Sequence, residues 1–179
     1  MKIVLMGYMA SGKSAVGKLL AQELKIQFID LDDFIEEKES LTIAEIFELK
    51  GEIYFRKKEG EYLQELFNLN KEVIISLGGG TPCYGNNIEI IENNSISFYL
   101  KASIQTIYER LTGETAKRPI VASIGNDNLK EFIAKHLFER DIFYNRANYK
   151  IGVNHKTIDQ IAKEIKECFE KLNRATFKF

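Results

Sequence analysis

Gly7-Tyr8-Met9-Ala10-Ser11-Gly12-Lys13-Ser14 fits the pattern G-x-x-x-x-G-K-[ST], and these residue types point to one kind of chemistry. A nucleoside triphosphate is a dense anion. Holding it takes several N–H donors, a positive charge and no side chains in the way. A glycine-containing turn that opens a helix supplies all three, with backbone amides and helix dipole facing the phosphates and Lys13 reaching the β and γ groups. Ser14 offers a hydroxyl to the magnesium ion that travels with the nucleotide. Ala10, Ser11, Gly12 and Ala15 complete the expected nucleotide-binding set. Such a string arises by chance in roughly one per cent of chains this long. Here it also stands between a strand-like run, Lys2 to Met6, and a helical spacing, Val16, Leu19, Leu20, Leu24. Nucleotide binding is therefore the first expectation.

A phosphate loop leaves the acceptor open. Asp30-Leu31-Asp32 follows a second strand-like run. If the extended backbone continues, both carboxylates point to one side, where one could hold magnesium and the other bond an acceptor hydroxyl. The same residues suit a helix start, where acidic side chains cap the amides and complement the dipole. Gly78-Gly79-Gly80 follows a third strand and lets a ligand approach the main chain. Arg56 has Glu59 at i,i+3, a spacing that equally describes a solvated surface pair. Arg140 and Arg146 carry the same ambiguity. Arg118 stands just before Pro119 in a polar stretch, where a closing lid would bring it to the transferring phosphoryl group.

The elements that must position these groups alternate. Strand-like runs occur at Phe28 to Leu31, Val73 to Leu77, Ile96 to Leu100 and Tyr149 to Val153. Helical patterns fill Leu41 to Asn68, Asn87 to Glu92, Ser103 to Leu111, Leu129 to Arg146 and Thr157 to Leu172. The first of these starts on a Thr42-x-x-Glu45 capping box and is expected to break near Gly51. Alternation of this kind predicts a parallel sheet with right-handed crossovers and ligands at the strands' carboxyl ends. Thr112 to Asn128, with Gly113, Pro119 and Gly125, breaks the pattern and reads as the lid.

The ordered set G-x-x-x-S-G-K-S, D-x-D, G-E-x-x-F-R, L-G-G-G, R-P and R-x-x-x-Y, from about Lys2 to Thr157, resembles the shikimate kinase family. That resemblance implies a three-layer α/β/α fold with a five-stranded parallel sheet, of the phosphate-loop kinase type. It also implies transfer of the γ-phosphate of ATP to the 3-hydroxyl of shikimate, on the route to chorismate and the aromatic amino acids. By it, Lys13, Asp32 and Arg118 are the catalytic residues, and Ser14 with Asp30, acting through water, holds Mg2+. Arg56 and Arg140 clamp the acceptor carboxylate, and Gly78, Gly79 and Gly80 present amides to the acceptor. Arg146 matches less well than Arg140, and Asp33 makes the acidic motif D-x-D-D. A gluconate-type or other small-polyol kinase, or a non-catalytic nucleotide-binding relative, is the alternative.

Composition bounds the rest. At 179 residues with 45% hydrophobic content, a single domain spanning 1–179 is expected. A net charge of −1 gives no electrostatic reason to expect nucleic acid or an anionic membrane as partner. No apolar run approaches the ~20 residues that span a bilayer. Cys83 and Cys168 lack metal or redox spacing, which suits incidental thiols in a reducing cytoplasm. A cytoplasmic monomer is the expectation. A switch GTPase is disfavoured, since Asn70-Lys71-Glu72-Val73 begins N-K-x-D and fails at its fourth position.

Overall fold

Strands β1 (Lys2–Met6), β2 (Gln27–Asp30), β3 (Val73–Ser76), β4 (Ile96–Lys101) and β5 (Tyr149–Gly152) form one parallel sheet in the order β2-β3-β1-β4-β5. The computed structural model describes residues 2–113 and 126–176. Central strands are apolar along their length because both faces are covered: Ile3 to Met6 and Val73 to Ile75 are all buried.

The helices are α1 (Lys13–Leu24), α2 (Leu31–Glu39), α3 (Ile43–Asn68), α4 (Asn87–Asn94), α5 (Ile104–Gly113), α6 (Asn126–Tyr144) and α7 (Ile158–Thr176), with a short 3-10 turn at Thr81–Cys83. The step from β1 to β2 runs one way along the sheet, whereas β2 to β3, β3 to β4 and β4 to β5 run the other. Right-handed crossovers therefore put α1 on one face and α2 to α6 on the opposite face. The last helix, α7, returns to pack on α1, burying Ile161, Ala162, Ile165 and Phe169. Each large apolar side chain on that stripe contributes about 1.5–3 kcal/mol relative to exposure.

Local signals account for most boundaries. The Thr42 hydroxyl accepts from the Glu45 amide, and the Glu45 carboxylate accepts from the Thr42 amide at 2.7 Å, so the capping box forms. α3 kinks at Gly51, whose φ of 81° is left-handed. One expectation is corrected. The chain does not stay extended past Asp30; it turns at once into α2, with Asp30 as N-cap accepting from the Asp32 amide at 3.2 Å. The alternation expected for Asp30 and Asp32 is thus replaced by a cap followed by a helical residue. α6 starts at Asn126 and ends at Tyr144, leaving Arg146 beyond the helix. Of the expected lid, Thr112 and Gly113 end α5, and 126–128 open α6. The remainder, including Arg118, lies outside the described residues.

Candidate active site

β1 delivers the chain into a loop bent by left-handed residues, Ala10 at φ 59° and Gly12 at φ 99°, and Gly12 is the N-cap of α1. Lys13 is buried, with Nζ donating to the carbonyls of Gly7 at 2.9 Å and Tyr8 at 3.0 Å. The Ser11 hydroxyl is also buried and makes no hydrogen bond among the described residues. Such an atom in a loop of amides marks a place built for an oxygen-rich guest. At the opening of α1, Ser14 Oγ donates to Asp30 Oδ2 at 2.6 Å and lies 3.4 Å from Ser76 Oγ.

The second half of the site is organised by the glycine run after β3. A Cβ on Gly78 would lie 2.8 Å from Asp32 Oδ1. One on Gly79 would lie 3.6 Å from Arg140 Nη1, and one on Gly80 would lie 3.0 Å from both Arg56 terminal nitrogens. Each glycine therefore abuts one of the three charged side chains, and no side chain larger than hydrogen fits at Gly78 or Gly80 without displacing them. Residues from α2, α3 and α6 meet here.

Glu59, read from sequence only as a helical neighbour of Arg56, holds this arrangement together. It is 1% exposed; Oε2 accepts from Arg56 Nη1 at 2.9 Å and Oε1 from Thr81 Oγ1 at 2.6 Å. The Arg56 guanidinium also stacks 4.0 Å over the Tyr84 ring, and the Tyr84 hydroxyl donates to Glu52 at 2.9 Å. Arg140 lies 5.6 Å over the Tyr8 ring, and Tyr8 Oη contacts His136 Nδ1 at 3.3 Å, which ties the phosphate loop to α6. Arg146 has gone elsewhere, pairing with Glu89 at 2.9 Å and Glu92 at 2.5 Å on the surface. Asp33 turns away from Asp32 and lines a separate groove with Lys18, which settles which carboxylate of D-x-D-D faces inward.

Burial pushes the Asp32 carboxyl up to about 6; the Asp30 and Glu59 carboxylates push the same way, and Lys13 pulls against them. A carboxylate tuned toward neutrality and surrounded by negative charge suits proton acceptance. Ser14 and Asp30 offer hard oxygens at the same opening, a donor set that fits a magnesium ion sharing its shell with phosphates and water. The acidic excess around Asp32 is one a cation would offset.

A cavity of about 740 Å³ runs along the loop from Ala10 to Ala15, past Asp30 and Asp32, to Gly78 and Gly79. Arg140 stands beside Gly79 at that end, whereas Arg56 lines a separate groove with Tyr84 and Asn87. The cavity's other end is walled by Arg110, Lys156, Thr157 and Ile158, which sequence reasoning had not placed. Arg110 Nη1 donates to the Ala10 carbonyl at 2.9 Å; no local spacing connects residues so far apart in the chain.

The protein-family model described as shikimate kinase matches residues 9–170. The chain is 50% identical over 165 residues to a shikimate kinase of Flavobacterium johnsoniae, covering 92% of this chain and 96% of that one. A crystal structure of shikimate kinase from Bacteroides thetaiotaomicron superposes with a TM-score of 0.89 at 33% identity, covering 95% of this chain and 98% of that one. Shikimate kinase from Acinetobacter baumannii, solved in complex with shikimate, gives 0.85 at 31% identity, over 95% and 93% of the two chains.

Proposed function

The chain belongs to the shikimate kinase family, and from that premise we propose how its own residues divide the transfer of the ATP γ-phosphate to the 3-hydroxyl of shikimate. The observation that carries the assignment is the one-to-one placement of Asp32, Arg140 and Arg56 against Gly78, Gly79 and Gly80. Shikimate presents a carboxylate at one end and hydroxyls at the other. Two guanidiniums suit the first, and a carboxylate with nearby amides suits the second.

ATP lies along the phosphate loop, its base toward Arg110 and Lys156 to Ile158. Lys13 exchanges the carbonyls of Gly7 and Tyr8 for phosphate oxygens, a short movement for a side chain already aimed into the loop. Asp32 orients the acceptor hydroxyl and takes its proton, while Arg56 and Arg140 fix the acid end so that the hydroxyl faces the phosphorus. Glu59 keeps Arg56 in place without competing for both of its edges. Ser14 and Asp30 would hold Mg2+, which when bound would supply positive charge against that of the phosphates. Arg118 is proposed to add a further positive charge from the segment outside the described residues. All these groups belong to one chain, so a monomer suffices; sedimentation at assay concentration is expected to show one.

The test is ADP release measured with shikimate, quinate and gluconate as separate acceptors. Turnover with shikimate, at least tenfold above the others in kcat/KM, is the expected outcome. Turnover with gluconate alone overturns the assignment.

A further inference from the structure

Tyr144 takes no part in the steps above, yet it is completely buried and its hydroxyl donates to the Gly79 carbonyl oxygen at 2.5 Å. It lies one turn beyond Arg140 on α6, and the positive charge of Arg140 bears on the same hydroxyl. Burial pushes this phenol well above the ordinary tyrosine range, so it remains a donor at any working pH.

The partner it has chosen matters more than the bond's strength. The Gly79–Gly80 peptide carries no side chain on either residue, and glycine crosses between positive and negative φ at little cost, so that peptide plane can turn over. In a trans, planar peptide the carbonyl of one residue and the N–H of the next point in opposite directions, and the described chain contains no cis bond. A hydroxyl that holds the Gly79 carbonyl toward α6 therefore aims the Gly80 amide away from α6. Gly80 itself abuts the Arg56 guanidinium. The bonds that shape the following turn, Thr81 N to Gly78 O and Cys83 N to Gly80 O, leave this plane unspecified.

We propose that Tyr144 is a positioning residue for the acceptor: its hydroxyl selects the orientation of the Gly79–Gly80 peptide that presents the Gly80 amide to the acid held by Arg56 and Arg140. The proposal rests on the acceptor binding against the glycine run, as proposed above.

Tyr144→Phe removes only the oxygen and keeps the ring that packs 5.0 Å from Tyr99. The KM for shikimate is expected to rise about tenfold, as for one lost hydrogen bond in a water-poor site, while the KM for ATP stays within about twofold. Tyr99→Phe, which strips a hydroxyl directed at Asp141 rather than at the glycine run, is expected to leave the shikimate KM unchanged. In 15N-glycine spectra of the wild type, shikimate is expected to shift the Gly80 amide; in Tyr144→Phe that resonance broadens or doubles. The proposal is overturned if the Gly80 amide does not respond to shikimate in the wild type. It is equally overturned if Tyr144→Phe moves both KM values together with an unaltered Gly80 signal, the behaviour of a purely structural tyrosine. Arg140→Ala separates the two levels. A normal shikimate KM in that variant removes the acceptor site itself, whereas a raised one alongside a normal Tyr144→Phe removes only the role given to Tyr144.

Discussion

Asp32 is held among neighbours that favour its protonated form, and this has a consequence for stability as well as for chemistry. Its carboxyl sits at about 6 in the folded chain against 3.8 as the ordinary value, so the folded state binds the proton more tightly than the unfolded one. Folding is unpenalised below about pH 4, increasingly penalised between about 4 and 6, and penalised by about 3 kcal/mol above that. Asp32→Asn is accordingly expected to melt at a higher temperature than wild type at pH 7.5 and to lose that advantage at pH 4, both without ligand or metal. Its kcat is expected to fall by about 10²- to 10⁴-fold. Equal melting at both pH values would show that Asp32 is not under this electrostatic load. At this scale the sequence disclosed the charged residues proposed to touch ligands more readily than those that hold them. Arg56 and Arg140 stand in recognisable motifs. Glu59 was visible only as the i,i+3 partner of Arg56, because helical spacing reveals one of its contacts and hides the Thr81 hydroxyl behind it. Tyr84 and Tyr144 have partners set by tertiary folding alone, and no periodicity announces them.

α2 carries Asp32 and α3 carries Arg56, two of the groups proposed to grip the acceptor, and Glu39 ties the two helices together. Its carboxylate accepts from Lys50 at 2.8 Å, Tyr54 at 2.8 Å and Tyr62 at 2.6 Å. These bonds hold the carboxyl down at about 2, Lys50 contributing most; the stability they confer is present above the ordinary glutamate range and lost as pH falls toward 2. Glu39→Gln is expected to raise the KM for shikimate roughly threefold to tenfold while sparing that for ATP, because the phosphate loop hangs from β1 and α1 instead. Steady-state kinetics with each substrate varied in turn checks this; equal effects on both would mean the two helices are not the acceptor's own unit. The capping box at Thr42 and the break at Gly51 were legible because each depends on residues within a single turn. The end of β2 was not. Asp-Leu-Asp reads equally as strand alternation and as a helix cap, and the choice is made by contacts with the Ser14 hydroxyl and the Asp32 amide.

Across the whole molecule, the strand order places three ends with proposed site residues side by side: Asp30 at the end of β2, the glycine run after β3 and the phosphate loop after β1. Alternating elements announced a parallel sheet with ligands at its carboxyl edge, but not that β3 would slip between β1 and β2, since strand order depends on the faces the crossovers cover. In the proposed binding mode the two substrates share one edge of one sheet, and occupancy should stabilise the entire fold. Shikimate at a hundred times its Kd is expected to add about 2.7 kcal/mol and raise Tm by about 5–10 °C. The Arg56→Ala, Arg140→Ala pair is expected to abolish that shift in calorimetry; a shift that persists would place the acid elsewhere. Lys13 carries a last implication. Tethered to the carbonyls of Gly7 and Tyr8 and buried, its ammonium sheds most of its water and surrenders its rotamer freedom during folding. Capture of the triphosphate then trades one set of oxygens for another over a short movement, so it should lose little entropy at the loop.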